Sequence, residues 1–149
     1  MASPASPQIS IAIAEPGPVL DHCYAIRRMV FVEEQQVDAN LEFDGLDETA
    51  THYVAFVDSK PAGCARLVDC GEGRAKIGRV AVLASHRRRG IGAAIMKRVI
   101  ADAATQGFRE AVLHAQLVAC PFYAALGFER YGDEFLEANI PHCRMKRPL

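Results

Sequence analysis

Three arginines, Arg87, Arg88 and Arg89, run directly into Gly90-Ile91-Gly92, and a helical apolar pattern begins there. The first amides of a helix have no partner inside it and sit at the positive end of its dipole. Glycines let an anion approach such amides closely, and guanidiniums on the approach suit a ligand with several phosphates. The phosphate-loop pattern GxxxxGK[ST] is absent, and no full GxGxxG follows the first strand-like segment. Both absences disfavour a nucleoside triphosphatase and a dinucleotide-binding fold. Tyr123 presents a phenol about 100° around a short helical segment from Phe122, beside its apolar stripe. Ala119 and Gly127, one turn to either side, are small and leave space for a ligand. Glu137 and His142 are candidates for moving a proton, and an imidazole with an ordinary pKa near 6.5 suits that task. His114 lies on a strand-like segment, where a histidine can simply pack.

Residues 33–48 carry seven acidic side chains and no Lys or Arg. A solvated acidic face is the ordinary reading; the functional alternative is a site that attracts an ammonium. A calcium loop counted from Asp38 fails, because Phe43 falls at the turn glycine and Thr49 at the final glutamate. Five cysteines, an odd number with no CxxC pair, point to reduced core thiols rather than a disulfide framework or a zinc site. No metal is expected.

These groups need elements to position them. Residues 9–14 alternate as a strand, and Pro16-Gly17-Pro18 breaks it. Val19, Cys23, Ile26 and Val30 predict an amphipathic helix over 19–35, followed by a helix end and loop. Residues 51–57 and 63–68 predict a hairpin with a turn at 58–61, and 76–83 a third strand. After the basic loop, Ile91, Ile95, Met96, Val99, Ile100 and Ala103 share one helix face, and Gly107 is placed to end that helix. Residues 110–116 are strand-like, 118–126 form a short helix before Gly127, and 128–131 and 140–145 are two final strands. The order β-α-β-β-β-α-β-α-β-β is a mixed α+β or α/β arrangement around one central sheet.

A chain of 149 residues is one domain's length, and no linker divides it. The domain is expected over 9–149, after a disordered Ala/Ser/Pro-rich leader at 1–8 that lacks the basic start of a secretory signal. A net charge of -1 argues against general binding to nucleic acid or to an anionic membrane. No apolar run approaches the roughly 20 residues of a membrane span. A cytoplasmic location is the expectation.

Arg87-x-x-Gly90-x-Gly92, after Arg79-Val80-Ala81-Val82, resembles the acyl-CoA pyrophosphate signature of the GNAT acetyltransferase superfamily. The resemblance implies that the backbone of Val80, Ala81 and Val82 pairs with the pantetheine arm. It also implies that the amides of Arg88, Arg89, Gly90, Ile91, Gly92 and Ala93 hold the pyrophosphate, with Arg87 beside them. Leu113-His114-Ala115-Gln116 and then Phe122-Tyr123-Ala124-Ala125-Leu126-Gly127-Phe128 resemble the family's second block, in which the tyrosine protonates the departing CoA thiolate. Arg28-x-x-Phe31-Val32-x-Glu34-Gln35, Asp44-x-x-Asp47 and Ile140-Pro141-His142 are similar to the ElaA-like subgroup, which often has Gly where this chain has Asn139. Glu34 is the leading general base by its place in that motif, with Glu137 and His142 next.

The resemblance implies a GNAT-like central mixed sheet flanked by helices. It further implies acetyl transfer from acetyl-CoA to a primary amine of a small molecule or peptide, and allows a homodimer. Phe31 and Glu42-x-Asp44-x-x-Asp47 also resemble acyl-homoserine lactone synthases, whose cofactor region lacks this glycine loop. A non-catalytic CoA-binding sensor is the alternative from another class.

Overall fold

The structure, a computed structural model, describes residues 8–149. The leader expected over 1–8 lies outside them apart from Gln8, which exchanges hydrogen bonds with Asp58.

Four strands form an antiparallel meander: β1 (Ile9–Ile13), β2 (Thr51–Val57), β3 (Lys60–Asp69) and β4 (Arg74–Val82). Between β1 and β2 lie α1 (Pro18–Arg27), a π-helical continuation Arg28–Glu34 and the short α2 (Ala39–Glu42). The crossover helix α3 (Ile91–Thr105) leads to β5 (Glu110–Gln116), and α4 (Cys120–Ala124) precedes β6 (Glu129–Glu137) and β7 (Ile140–Pro148). The sheet order is β1-β2-β3-β4-β5-β7-β6, with β4–β5 the parallel pair. Among the described residues no helix is long and apolar enough to cross a membrane.

Side-chain periodicity accounts for the layers. The six apolar residues expected on one face of α3 are all buried there, against the sheet. Gly63 lets that helix approach β3, since a Cβ at Gly63 would come within 2.9 Å of Ile95 Cδ1. Cys23, Ile26 and Val30 cover the opposite face, packing on Val54, Cys64 and Ala81.

Several expectations change, and the last two strands run longer than 128–131 and 140–145, as Glu129–Glu137 and Ile140–Pro148. The first hairpin turns at Asp58-Ser59 alone, with φ of 48° and 70°, so Lys60 and Pro61 already belong to β3. Two left-handed residues make the tight turn whose twist matches its strands. The helix expected over 19–35 also widens after Arg27, where Gln35 N reaches back five residues to Val30 O at 3.1 Å. That extra residue in the turn brings both Phe31 and Gln35 to the cleft described below.

One irregularity opens the sheet. Cys64 faces Ala81 but Arg66 faces Gly78, so Arg79 and Val80 together oppose Ala65 in a bulge, with Arg79 at φ 54°. A bulge bends its strand. Accordingly β4 pairs with β5 only at Arg74↔Glu110, Ala75↔Ala111 and Lys76↔Val112, and the two strands then part.

Candidate active site

The start of α3 is built as the basic loop suggests. Gly90 is its N-cap at φ 78°, with no side-chain cap and no atom within 4 Å of where a Cβ would sit. The first internal bond in the helix comes from Ala94 N to Gly90 O. The amides of Ile91, Gly92 and Ala93 therefore lack helical partners. Arg88 and Arg89 are exposed beside them.

Arg87 is engaged differently. Its Nε donates to Val82 O at 2.9 Å, and its two terminal nitrogens donate to Glu34 at 2.6 and 2.7 Å. The Arg87 fork holds the Glu34 carboxyl below its ordinary range. Glu34 is thus tied to the loop rather than turned into the cleft.

The parted β4 edge supplies the next group. Leu83 N donates to Ala62 O at 2.8 Å, so Leu83 is hydrogen-bonded to β3. By the alternation of an antiparallel ladder, Val82 points its amide and carbonyl the other way. The Arg87 contact with Val82 O agrees. No β5 residue pairs with Val82, so its N–H faces the gap. Ala81 turns its backbone to Cys64 on β3, and Val80 lines the gap.

A cleft of about 650 Å³ occupies this gap. Tyr123 and His142 both line it. Tyr123 packs edge-on between Phe122 and Phe128, with ring centroids at 4.9 and 6.1 Å. Burial pushes its phenol up to about 12, so it stays protonated. His142 Nδ1 lies 2.6 Å from Ile140 O. A carbonyl oxygen only accepts, so Nδ1 carries hydrogen and the neutral ring keeps its lone pair on Nε2. Glu137 Oε2 is 3.6 Å from that Nε2, and Glu137 Oε1 is 2.9 Å from His114 Nδ1. The His114 hydrogen bond leads in holding the Glu137 carboxyl below its ordinary value.

The acidic segment is solvated at Glu33, Glu34, Asp38 and Glu48, whereas Glu42, Asp44 and Asp47 are held by arginines and are not free to receive an ammonium. Arg27, 1% exposed, meets Glu42 at 2.8 Å and Asp47 at 2.7 Å. Arg66 meets Asp44 at 2.9 Å and Asp47 at 3.1 Å, and Arg79 meets Glu42 at 3.0 Å and Asp44 at 3.2 Å. The Arg66 hydrogen bond leads in holding Asp44 well below the carboxylate range. Burial pushes Asp47 up, but Arg27 and Arg66 outweigh it and hold it below its ordinary value. Burial pushes Glu42 up against the pull of Arg79 and Arg27. The signal for this network was in the chain. Arg27 follows Ile26 on the buried helix face, and Arg66 sits inside an apolar strand, where a charge needs a partner.

Of the candidates read from sequence, Val80, Tyr123, Glu137 and His142 meet in one cleft, and the 88–93 loop stands at the start of the helix behind it. Glu34 lies outside, on Arg87, while its neighbour Gln35 reaches in and accepts from Gln116 Nε2 at 2.8 Å. The role of His114 beside Glu137 was missed, because strand pairing across 23 residues brings them together.

Comparison with known proteins identifies the family. The family model for an acetyltransferase (GNAT) domain matches residues 25–149. The uncharacterized N-acetyltransferase YjcF of Bacillus subtilis (strain 168) is 38% identical over 136 residues, 91% of this chain and 96% of YjcF. A putative N-acetyltransferase from Lactobacillus plantarum has the same fold at TM-score 0.86 and 26% identity, covering 97% of this chain and 99% of that one. Escherichia coli ElaA shares the fold at TM-score 0.82 and 24% identity, over 95% of this chain and 99% of ElaA. The chain belongs to the GNAT acetyltransferase family.

Proposed function

We propose that this chain transfers an acetyl group from acetyl-CoA to a primary amine of a small molecule or peptide by direct attack. One observation carries the reading. The β4 edge, freed by the Arg79 bulge, runs from the uncapped start of α3 to a cleft lined by Tyr123 and His142.

The amides of Arg88 to Ala93 suit the pyrophosphate, and the free edge at Val80 to Val82 suits the amide-bearing pantetheine arm. Val82 N–H donates to the thioester carbonyl oxygen and stabilises its developing charge. His142 Nε2 accepts the amine proton. Tyr123, kept protonated by burial, donates to the departing sulfur. Each proton-transfer group contributes about 10²–10⁴ in rate. The geometry favours His142 over Glu34 as the base, because the Glu34 lone pairs are committed to Arg87 outside the cleft.

The test is incubation with acetyl-CoA and a panel of primary amines, following thiol release and the product mass. Thiol release matched by an amine heavier by one acetyl group supports the reading. A requirement for S-adenosylmethionine points to the lactone-synthase alternative, and CoA binding without turnover of any amine points to the sensor.

A further inference from the structure

We propose that Glu137 is the docking point for the acceptor's ammonium, and that the acceptor is a small amine carrying one positive charge on an apolar body. This rests on the acetyl-transfer reading above and names the substrate class of that same cleft.

The charges along the cleft select this position. Glu42 and Asp44 line it, but both are neutralised by arginines at 2.8–3.2 Å. Asp47 behind them is held by Arg27 and Arg66, and Glu34 by Arg87. Glu137 differs. Its ion-pair partners among the described residues are two imidazoles, His114 at 2.9 Å and His142 at 3.6 Å. No lysine or arginine lies within ion-pair distance of this carboxylate among the described residues. At 45% side-chain exposure it also remains reachable from the cleft.

The surroundings limit what else the ligand carries. Lys76 lines the same cleft and acts on Glu137 through space. A second ammonium on the acceptor meets that lysine and the guanidiniums of Arg66 and Arg79, not another free carboxylate. Phe31, Val37, Leu41, Val68 and Ile140 supply apolar wall, and Leu41 stays 57% exposed at the rim. One charge with an apolar body matches this lining; a polyamine or a cationic peptide does not.

Docking on Glu137 also places the nitrogen beside the base. The ammonium gives one proton to His142 Nε2, and its lone pair forms the bond to the thioester carbon. Collapse breaks the C–S bond, and the second proton leaves nitrogen for solvent water. The sulfur takes one proton from Tyr123, which is reprotonated by solvent, and His142 returns its proton to solvent, so each turnover releases one net proton. Glu137 holds the ammonium before this sequence and faces the His142 imidazolium during it.

The experiment uses the full chain at saturating acetyl-CoA and measures thiol release with phenethylamine and with spermidine. Wild type, Glu137→Gln and Glu137→Asp are compared, with acetyl-CoA binding followed separately by calorimetry. The expected kcat/KM for phenethylamine is about tenfold or more above that for spermidine. Loss of a charge-assisted contact in Glu137→Gln raises the phenethylamine KM by about tenfold or more, and Glu137→Asp restores part of it. The KM for acetyl-CoA stays near the wild-type value in both variants. Equal or better use of spermidine overturns the proposal, as does an unchanged phenethylamine KM in Glu137→Gln. Acetyl-CoA binding with no turnover of either amine overturns the acceptor class and leaves the cofactor site standing. Absence of acetyl-CoA binding removes the acetyl-transfer reading itself, and this proposal with it.

Discussion

The Nδ1 atom of His142 lies 2.6 Å from the carbonyl oxygen of Ile140, two residues earlier in β7. That contact sets the tautomer and leaves Nε2 as the basic nitrogen in the cleft. His142→Ala is expected to lower kcat by about 10²–10⁴ while sparing the KM for acetyl-CoA. Added imidazole restores part of the rate in that variant and not in wild type. A His142→Ala enzyme with wild-type kcat, chemistry being rate-limiting, contradicts the role.

Tyr123 is the complementary case. Burial raises its phenol to about 12, so it titrates above the range of most assays. Tyr123→Phe should reduce kcat by about 10²–10⁴ without reshaping the pH–rate profile below about pH 11. Burial is the largest cause of the shift, and no hydrogen bond contributes to it. The variant therefore loses little stability, and its melting temperature should match wild type. Full activity in Tyr123→Phe rules out the acid role.

The Arg87–Glu34 pair separates two roles for Glu34. Both side chains are more than a third exposed, so their pairing contributes only about 0–1 kcal/mol to stability. Glu34→Gln frees Arg87 and is expected to change the KM for acetyl-CoA several-fold while kcat stays within about threefold of wild type, since the loss is in binding rather than in the transition state alone. A fall in kcat of a hundredfold or more, with that KM unchanged, makes Glu34 the base instead.

The buried arginine–carboxylate network governs acid stability. Asp44 and Asp47 have depressed pKa values, so they stabilise the fold above their unfolded value of about 3.9, and the contribution is lost as pH falls through the folded value. His52 acts in a higher window. Burial lowers its pKa, so its contribution is complete above about pH 6.5 and declines below it. Melting temperature should therefore fall in two stages on acidification, and Asp44→Asn should flatten the lower one. Arg27→Met, which leaves Glu42 and Asp47 underpaired, should cost about 3–5 kcal/mol in urea unfolding. A melting curve for Asp44→Asn that tracks wild type at every pH contradicts the assignment.

Local patterns were legible in the chain where the cause is local. The α3 stripe from Ile91 to Ala103, the glycine stop at Gly107 and the basic loop into Gly90 each depend on neighbours a few residues away. Asn139 also sits at φ 61°, a conformation that Asn tolerates better than most residues, so its place in the last hairpin needs no glycine. What depends on strand register was not legible. The Arg79 bulge that parts β4 from β5, and the meeting of His114 with Glu137, follow from pairings between distant strands. The inward turn of Glu42, Asp44 and Asp47 likewise needs Arg27, Arg66 and Arg79, which lie 15 to 37 residues from their partners.

The most direct measurement is calorimetric binding of acetyl-CoA to wild type, Gly90→Glu and Gly90→Asn. Position 90 holds φ 78° with open space around it. Asn accepts that backbone without adding charge, whereas Glu places an anion at the phosphate cradle. The expected result is binding by wild type and by Gly90→Asn, lost in a Gly90→Glu protein whose circular dichroism shows an intact fold. Binding that survives in folded Gly90→Glu, or is absent from folded wild type, contradicts the acyl-CoA site.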